Sequence, residues 1–83
     1  MAFRVVLIAK AKTDLEKLDR LIQKRIVKKL QFFAQDPLNY CEKLSDPTIG
    51  SFRFRIGTYR VIFDLEGKDI VVLRIGHRRE IYR

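Results

Sequence analysis

Three arginines lie close together in one short stretch of the sequence. Arg53, Arg55 and Arg60 belong to RFRIGTYRVIF, which alternates in polarity on both sides of Gly57-Thr58. Two alternating segments separated by two turn residues predict a tight β-hairpin. Such a turn pairs Arg55 with Arg60, and the Cβ atoms of residues paired in this way lie roughly 5 Å apart. Like charges at that separation destabilise a hairpin, so this placement of arginine requires another explanation.

The alternation predicts that the hairpin has one apolar face and one arginine face. The apolar face suits cover by a helix and comprises Phe52, Phe54, Ile56, Tyr59, Val61 and Phe63, whereas the arginine face comprises Arg53, Arg55, Arg60, Ile62 and Asp64. Asp64 or a carboxylate from a loop is available to neutralise the arginines, but one acid does not balance three bases. Because the planar guanidinium group matches phosphate oxygens, we interpret the arginine face as a site for a polyanion.

The charge of the whole chain supports a polyanionic partner. Eighteen Lys and Arg residues oppose ten Asp and Glu, which gives a net charge of +8 and a sequence pI of about 10.1. Nucleic acid and an acidic protein both fit this charge. Four of the last ten residues are arginine, and this segment also contains the chain's one histidine, His77.

Length and composition predict one small globular domain over residues 1–83. The hydrophobic fraction of 47% is too high for a disordered chain. A single cysteine and a single histidine indicate no internal disulfide, no metal site and no bound cofactor. The apolar run that begins at Val5 is too short for a signal peptide or a membrane span, so we expect a cytoplasmic protein that has no contact with a membrane.

The N-terminal half predicts a strand followed by two helices. Phe3 to Ala9 is typical of a strand, and Thr13 with Glu16 forms a capping-box pattern that predicts a helix start. Asp19 is a second candidate cap, which favours a helical hairpin over one long rod. An apolar stripe with helical spacing runs through Leu15, Leu18, Ile22, Ile26, Leu30 and Phe33. Asp36-Pro37 is expected to end the helical region.

The C-terminal half predicts a connecting loop over 38–49 and three strands over 51–56, 59–65 and 70–75. The fold class is therefore α+β, with an N-terminal strand, a two-helix hairpin and three antiparallel strands, and with the helices on one face of a mostly antiparallel sheet. A turn of two or four residues after Leu65 places Val71, Leu73 and Ile75 on the arginine face. A three-residue turn places them on the other face.

Two segments, RFRIGTYRVIFDL and VLRIGHRREIYR, resemble the RelE/ParE superfamily of type II toxins, and the basic tail with its tyrosine is more similar to the RelE branch. The resemblance covers nearly the whole chain. It implies a fold related in outline to microbial ribonucleases and a metal-independent endoribonuclease (an mRNA interferase) that cuts mRNA in the ribosomal A site. The implied partners are a cognate RelB-like antitoxin, the ribosome and mRNA, with operator DNA bound only by the toxin–antitoxin complex.

The resemblance also implies positions for the site. Arg53 and Arg55 match two basic positions before the turn, Arg60 matches the arginine of a Tyr-Arg pair, Arg78 matches the basic residue after the glycine, and Tyr82 matches a tyrosine near the C-terminus. RelE has lysines at the first two positions, and arginine, unlike lysine, cannot act as a general base. The candidate catalytic residues are Arg55, Arg60, His77, Arg78 and Tyr82. The candidate RNA-binding residues are Arg53, Arg55, Arg74, Arg79, Arg83, Lys24 and Lys28.

Cleavage by the ribose 2′-OH requires a proton acceptor, stabilisation of the phosphorane and a proton donor for the leaving oxygen. Arg55, Arg60 and Arg78 are candidates for stabilising the phosphorane. His77 is a candidate acid or base because histidine titrates near neutral pH, although it also fits a solvated turn residue. Tyr82 is a candidate acid or base, or a stacking platform for a nucleobase.

Three alternatives to an active ribonuclease remain open from the sequence. A ParE-like toxin has the same fold and inhibits DNA gyrase without cutting RNA. A plain nucleic-acid-binding module would use the arginines only as phosphate clamps, and a catalytically weak or inactive toxin is a third reading. Lys24 and Lys28 fit either a solvated helix face or a contact with ribosomal RNA.

Overall fold

The protein forms a five-stranded sheet with its two longer helices packed on one face. The computed structural model describes residues 2–82. Its elements, in chain order, are β1 (Arg4–Leu7), α1 (Ala9–Glu16), α2 (Arg20–Phe33), α3 (Pro37–Tyr40), β2 (Glu42–Lys43), β3 (Phe52–Ile56), β4 (Tyr59–Glu66) and β5 (Asp69–His77). The strand order is β1-β5-β4-β3-β2, and only β1 and β5 run parallel. This arrangement confirms the α+β fold class.

The two helix starts differ in how well the sequence indicated them. Asp19 caps α2 as predicted, because its carboxylate accepts a hydrogen bond from the backbone N–H of Leu21 at 3.1 Å. The capping box at Thr13 is wrong: α1 begins at Ala9, and the Thr13 hydroxyl donates to the Ala9 carbonyl within the helix. The chain passes directly from strand to helix at Ile8, which has no capping side chain.

The core lies between the helices and the apolar face of the hairpin. Ile26, Leu30 and Phe33 of the predicted stripe are buried there. Phe33 packs on Phe54 with ring centroids 4.7 Å apart, and Phe54 packs on Phe63 at 4.3 Å. The helix stripe and the alternating strands therefore meet as the sequence predicted. None of the described helices is long and apolar enough to cross a membrane.

The segment before the hairpin is more ordered than a plain loop. Pro37 begins the four-residue helix α3, and β2 pairs with β3 so that Glu42 lies opposite Arg53. The sequence did not predict either element, because a four-residue helix and a two-residue strand are too short to show a hydrophobic period. The prediction of a loop over 38–49 is wrong in this respect.

The hairpin β3–β4 has the predicted register. Arg55 pairs with Arg60, and Ile56 pairs with Tyr59 on either side of the turn. Gly57 has a φ of +60°, in the left-handed region that glycine adopts without steric cost. The two arginines are therefore held directly opposite one another on the arginine face.

A β-bulge changes the faces along β5. The turn at 67–68 has two residues, and Val71 pairs with Asp64 as expected for the arginine face. The register then shifts between Ile62 and Phe63, whose partners are Arg74 and Val72, so the intervening Leu73 is the extra residue. Because a bulge reverses the alternation beyond it, Ile75 pairs with Val61 and is buried in the core. The placement of Ile75 on the arginine face is therefore wrong.

Candidate nucleic-acid interface

The arginine face carries the candidate site. Arg53 and Arg55 come from β3, and Arg60 comes from β4. All three lie on the side of the sheet opposite the two longer helices, since their neighbours Phe54 and Val61 are in the core. Arg55 projects into solvent, with 58% of its side chain exposed.

Arg60 lies beneath the other arginines rather than at the surface. It is only 5% exposed, and its Nη1 donates to the carbonyl oxygens of Gly57 at 3.0 Å and Tyr59 at 2.9 Å. Burial lowers the pKa of Arg60, and the charge of Arg55 lowers it further, with smaller contributions from Arg53 and Arg78. An arginine remains protonated despite such a shift. Arg60 is therefore a fixed positive charge under the site.

The C-terminal segment after β5 folds back over this face. The backbone N–H of Arg78 donates to the Thr58 carbonyl at 2.8 Å, which ties the segment to the hairpin turn. Ile81 is 5% exposed and packs against Gly76, where an added Cβ would lie 3.7 Å from the Cβ of Ile81. These contacts bring Arg78 and Tyr82 to the arginines of the hairpin.

Tyr82 completes the cluster through a side-chain hydrogen bond. Arg53 donates from Nη1 to the Tyr82 hydroxyl oxygen at 2.8 Å, and its guanidinium carbon lies 6.0 Å from the ring centroid. This hydrogen bond is the main cause that raises the pKa of Arg53, and contact with Glu42 raises it too. The structure thus brings together Arg53, Arg55, Arg60, Arg78 and Tyr82. We call these five residues the arginine cluster.

Within residues 2–82, Glu42 supplies the carboxylate that contacts the arginine cluster. Oε1 of Glu42 is 3.1 Å from Nε of Arg53 and 3.5 Å from Nε of Arg55. Asp64 instead accepts a hydrogen bond from the backbone N–H of Ser51 at 2.9 Å. Among the described residues, this carboxylate faces four guanidinium groups, which leaves the cluster positively charged.

Two of the predicted site residues lie away from the cluster. Arg74 donates from Nε to Asp14 of α1 at 2.8 Å, so its charge is already paired. His77 pairs with Tyr59 on the helix side of the sheet, and the two rings meet edge to face at 5.6 Å. The bulge at Leu73 explains the placement of His77, because without it His77 would share the face of Val71. His77 is therefore poorly placed to act on a phosphate bound at the cluster.

The remaining predicted RNA-binding residues are spread over the surface. Lys24 and Lys28 line a shallow groove on the outer side of α2 with Arg20, Val27 and Gln31. Arg79 is exposed on the C-terminal segment, and its backbone N–H donates to Nδ1 of His77. Arg83 lies outside the described residues.

Sequence reasoning missed Glu42 and Arg25. Arg25 reaches from α2 to the hairpin turn, where a Cβ added to Gly57 would lie 2.9 Å from its Nη2. This guanidinium group thus lies beside the turn whose carbonyl holds Arg60. Nothing in the sequence distinguishes Arg25 from the other cations of α2, because its position depends on how the helix packs on the sheet. The sequence pattern gave no indication of Glu42, because its strand of two residues is too short to show an alternation.

Comparison with known proteins identifies the family. Over residues 5–82 the sequence matches the family described as the ParE toxin of the type II toxin–antitoxin system parDE. This chain belongs to the RelE/ParE superfamily of type II toxins. Its similarity to Toxin RelG of Mycobacterium tuberculosis extends over the full chain and 99% of the relative, at 34% identity.

Solved structures support the same family. The toxin resembles a chain of the RelBE2 toxin–antitoxin complex from M. tuberculosis, with a TM-score of 0.86 and 28% identity, over 96% of this chain and 95% of that one. It also shares its fold with a free E. coli RelE variant that carries two arginine-to-alanine substitutions. That match has a TM-score of 0.76 and 20% identity, over 99% of this chain and 92% of the other.

Proposed function

We propose that this toxin is a metal-independent endoribonuclease that cuts mRNA in the ribosomal A site. The observation that carries the proposal is the convergence of four guanidinium groups and one tyrosine on a single exposed face. Such a set of fixed donors stabilises the charge that develops on a phosphorane. The same site is poorly suited to a neutral or cationic substrate, because cations outnumber carboxylates in the described part of the cluster.

The members of the arginine cluster take different roles in this proposal. Arg55 and Arg78 are exposed and contact the phosphate oxygens directly. Arg60 is buried under them and strengthens the positive field without leaving its carbonyl partners. Arg53 orients Tyr82, whose ring is available to stack on a nucleobase.

Most groups of the cluster can bind an anion, but few of them can give or accept a proton. This imbalance supports the proposal that cleavage depends on the ribosome. Arginine cannot exchange its proton at neutral pH, and His77 faces the other side of the sheet. A ribosome that holds the mRNA in a reactive geometry supplies part of what such a site lacks. Arg25, Lys24 and Lys28 extend the basic surface for contact with ribosomal RNA.

The experiment compares cleavage of one mRNA in free form and on programmed ribosomes. We expect rapid cleavage on the ribosome, with a 2′,3′-cyclic phosphate and a 5′-OH as the product ends, and little cleavage of free RNA. Equal rates on the two substrates would refute ribosome dependence. No cleavage of either substrate would refute the ribonuclease assignment.

A gyrase inhibitor is the second candidate, because the matched family is described as ParE toxins. This function needs a protein-binding surface but no reactive phosphate site. A supercoiling assay with purified gyrase separates the two functions. Inhibition that persists after Arg78→Gln, together with intact mRNA, would favour the gyrase target.

We also propose a RelB-like antitoxin as the partner of this toxin in the cytoplasm. The support is the RelBE2 neighbour, which is a toxin–antitoxin complex. An acidic segment of the antitoxin would neutralise the exposed arginines and relieve their repulsion. Operator DNA is then bound by the complex and not by the free toxin.

A further inference from the structure

The proposed reaction requires a proton acceptor that the arginine cluster does not supply. Its four guanidinium groups remain protonated. The Tyr82 oxygen already accepts a hydrogen bond from Arg53, and His77 lies on the opposite side of the sheet. Within residues 2–82, Glu42 is the carboxylate in contact with the cluster.

Glu42 has the position and the exposure that a general base needs. It lies directly opposite Arg53 in the sheet, so its side chain is on the arginine face. Both contacts to arginine are made through Oε1. The side chain is 43% exposed, which leaves room for a substrate hydroxyl to approach the carboxylate.

We infer that Glu42 is the general base that activates the ribose 2′-OH, an inference that rests on the proposed ribonuclease function. The 2′ oxygen forms a bond to phosphorus as its proton passes to the Glu42 carboxylate. The bond between phosphorus and the 5′ oxygen breaks, and the leaving oxygen takes a proton from water or from the Tyr82 hydroxyl. The products are a 2′,3′-cyclic phosphate and a 5′-OH, Glu42 then returns its proton to solvent, and the proton donor regains one from solvent.

The arginines couple substrate binding to this step. In the free protein Arg53 and Arg55 face Glu42 from β3, Cys41 precedes it in the chain, and Tyr82 lies beyond Arg53. A phosphate group competes with Glu42 for both guanidinium groups. As the arginines turn to the phosphate, the Glu42 carboxylate is released from both contacts and can accept a hydrogen bond from the substrate hydroxyl. Substrate binding thus frees the Glu42 carboxylate for contact with the 2′-OH.

The test measures single-turnover cleavage of mRNA on programmed ribosomes by the wild type and by Glu42→Gln. Glutamine keeps an oxygen that accepts from Arg53 but cannot take a proton, so we expect the rate to fall about 10²-fold or more. Glu66→Gln is the matched control, because Glu66 is exposed at the other end of the same sheet. This control makes the same change in charge and should cleave at the wild-type rate.

Two further variants separate catalysis from folding. Glu42→Asp keeps a carboxylate, so it should cleave faster than Glu42→Gln. Its rate should also fall at acidic pH, as in the wild type, whereas the rate of Glu42→Gln should not. Glu42→Ala should be rescued by added formate, a small carboxylate that replaces the missing base. Thermal melting of every variant shows whether the fold is retained, and the pH profile and formate rescue do not respond to a merely structural role.

The outcomes distinguish this inference from the function on which it rests. If the wild type cleaves and Glu42→Gln is as fast as Glu66→Gln, Glu42 is not the base, although the ribonuclease function stands. A faster Glu42→Gln would also overturn the inference and would make Glu42 an inhibitory contact. The inference is also wrong if Glu42→Ala cleaves slowly, is not rescued by formate and keeps the pH profile of the wild type. A wild type that cuts no RNA overturns both proposals.

Discussion

Replacing Arg55 with glutamine should make the free toxin more stable and less active. Arg55 lies directly opposite Arg60, and its charge contributes to the lowered pKa of that buried arginine. Within residues 2–82, Arg55 contacts the Glu42 carboxylate at 3.5 Å, and the same carboxylate oxygen also contacts Arg53. Glutamine keeps a polar side chain on the strand and removes the repulsion.

The size of the effect follows from opposing electrostatic contributions. Two unit charges roughly 6 Å apart repel by about 1 kcal/mol at an effective dielectric constant of about 60, between the values for water and a protein surface. Arg53 and Arg78 also repel Arg60, but that repulsion remains in Arg55→Gln. The contact with Glu42 is exposed, 3.5 Å long and shared with Arg53, so it offsets the repulsion by only about 0–0.5 kcal/mol, the lower half of the range for surface ion pairs. We therefore expect a net gain of about 0.5–1 kcal/mol in the free energy of unfolding, or about 2–8 °C in melting temperature for a domain of this size.

The assay is thermal unfolding of the purified free toxin at low and high salt. The gain should be largest at low salt and should vanish at about 1 M salt, where the screening length falls to roughly 3 Å. Lys12→Gln on α1 is the control, because Lys12 is exposed on the helical side and the change in charge is the same. Cleavage on programmed ribosomes should fall about 10²-fold or more, as expected when a charge-stabilising donor is removed.

Certain results would refute this reasoning. If Arg55→Gln has a lower melting temperature than both the wild type and Lys12→Gln at low salt, the arginines do not repel one another in the free toxin. A gain that persists at high salt would point to packing rather than charge. Either result would remove the electrostatic argument for a site built to receive a polyanion.

Two further substitutions test the core and the basic surface. Phe54→Ala should lower the free energy of unfolding by about 3–5 kcal/mol, since Phe54 is 0% exposed between Phe33 and Phe63. Denaturant unfolding measures this loss, and a loss below about 1 kcal/mol would contradict the core described above. Arg25→Gln should weaken binding of a short 2′-O-methylated RNA and should reduce the slope of log affinity against log salt by about 0.7. An unchanged slope would place Arg25 outside the RNA-binding surface.

The sequence predicted the hairpin well because its register follows from local chemistry. A two-residue turn at Gly57-Thr58 fixes which residues pair, and the period of two fixes which face each occupies. The bulge at Leu73 left no comparable mark in the sequence. That single extra residue moved Ile75 into the core and His77 to the helix side.

The candidate site was predictable to the extent that it lies on the hairpin and the C-terminal segment. The resemblance indicated Arg78 and Tyr82, and the structure brings both to the hairpin arginines. Glu42 and Arg25 reach the site through tertiary contacts, from a two-residue strand and from a helix on the other side of the sheet. Sequence periodicity carries no information about contacts of that kind.

The position of β5 has a consequence for how the toxin folds during its synthesis. Among the described elements this strand comes last in the sequence, yet it lies between β1 and β4 in the sheet. During synthesis the first strand therefore has no neighbour to pair with until the final strand has left the ribosome. The segment bearing Arg78 and Tyr82 emerges later still. The order of the strands thus delays assembly of the arginine cluster until β5 and the residues after it can fold onto the rest of the sheet.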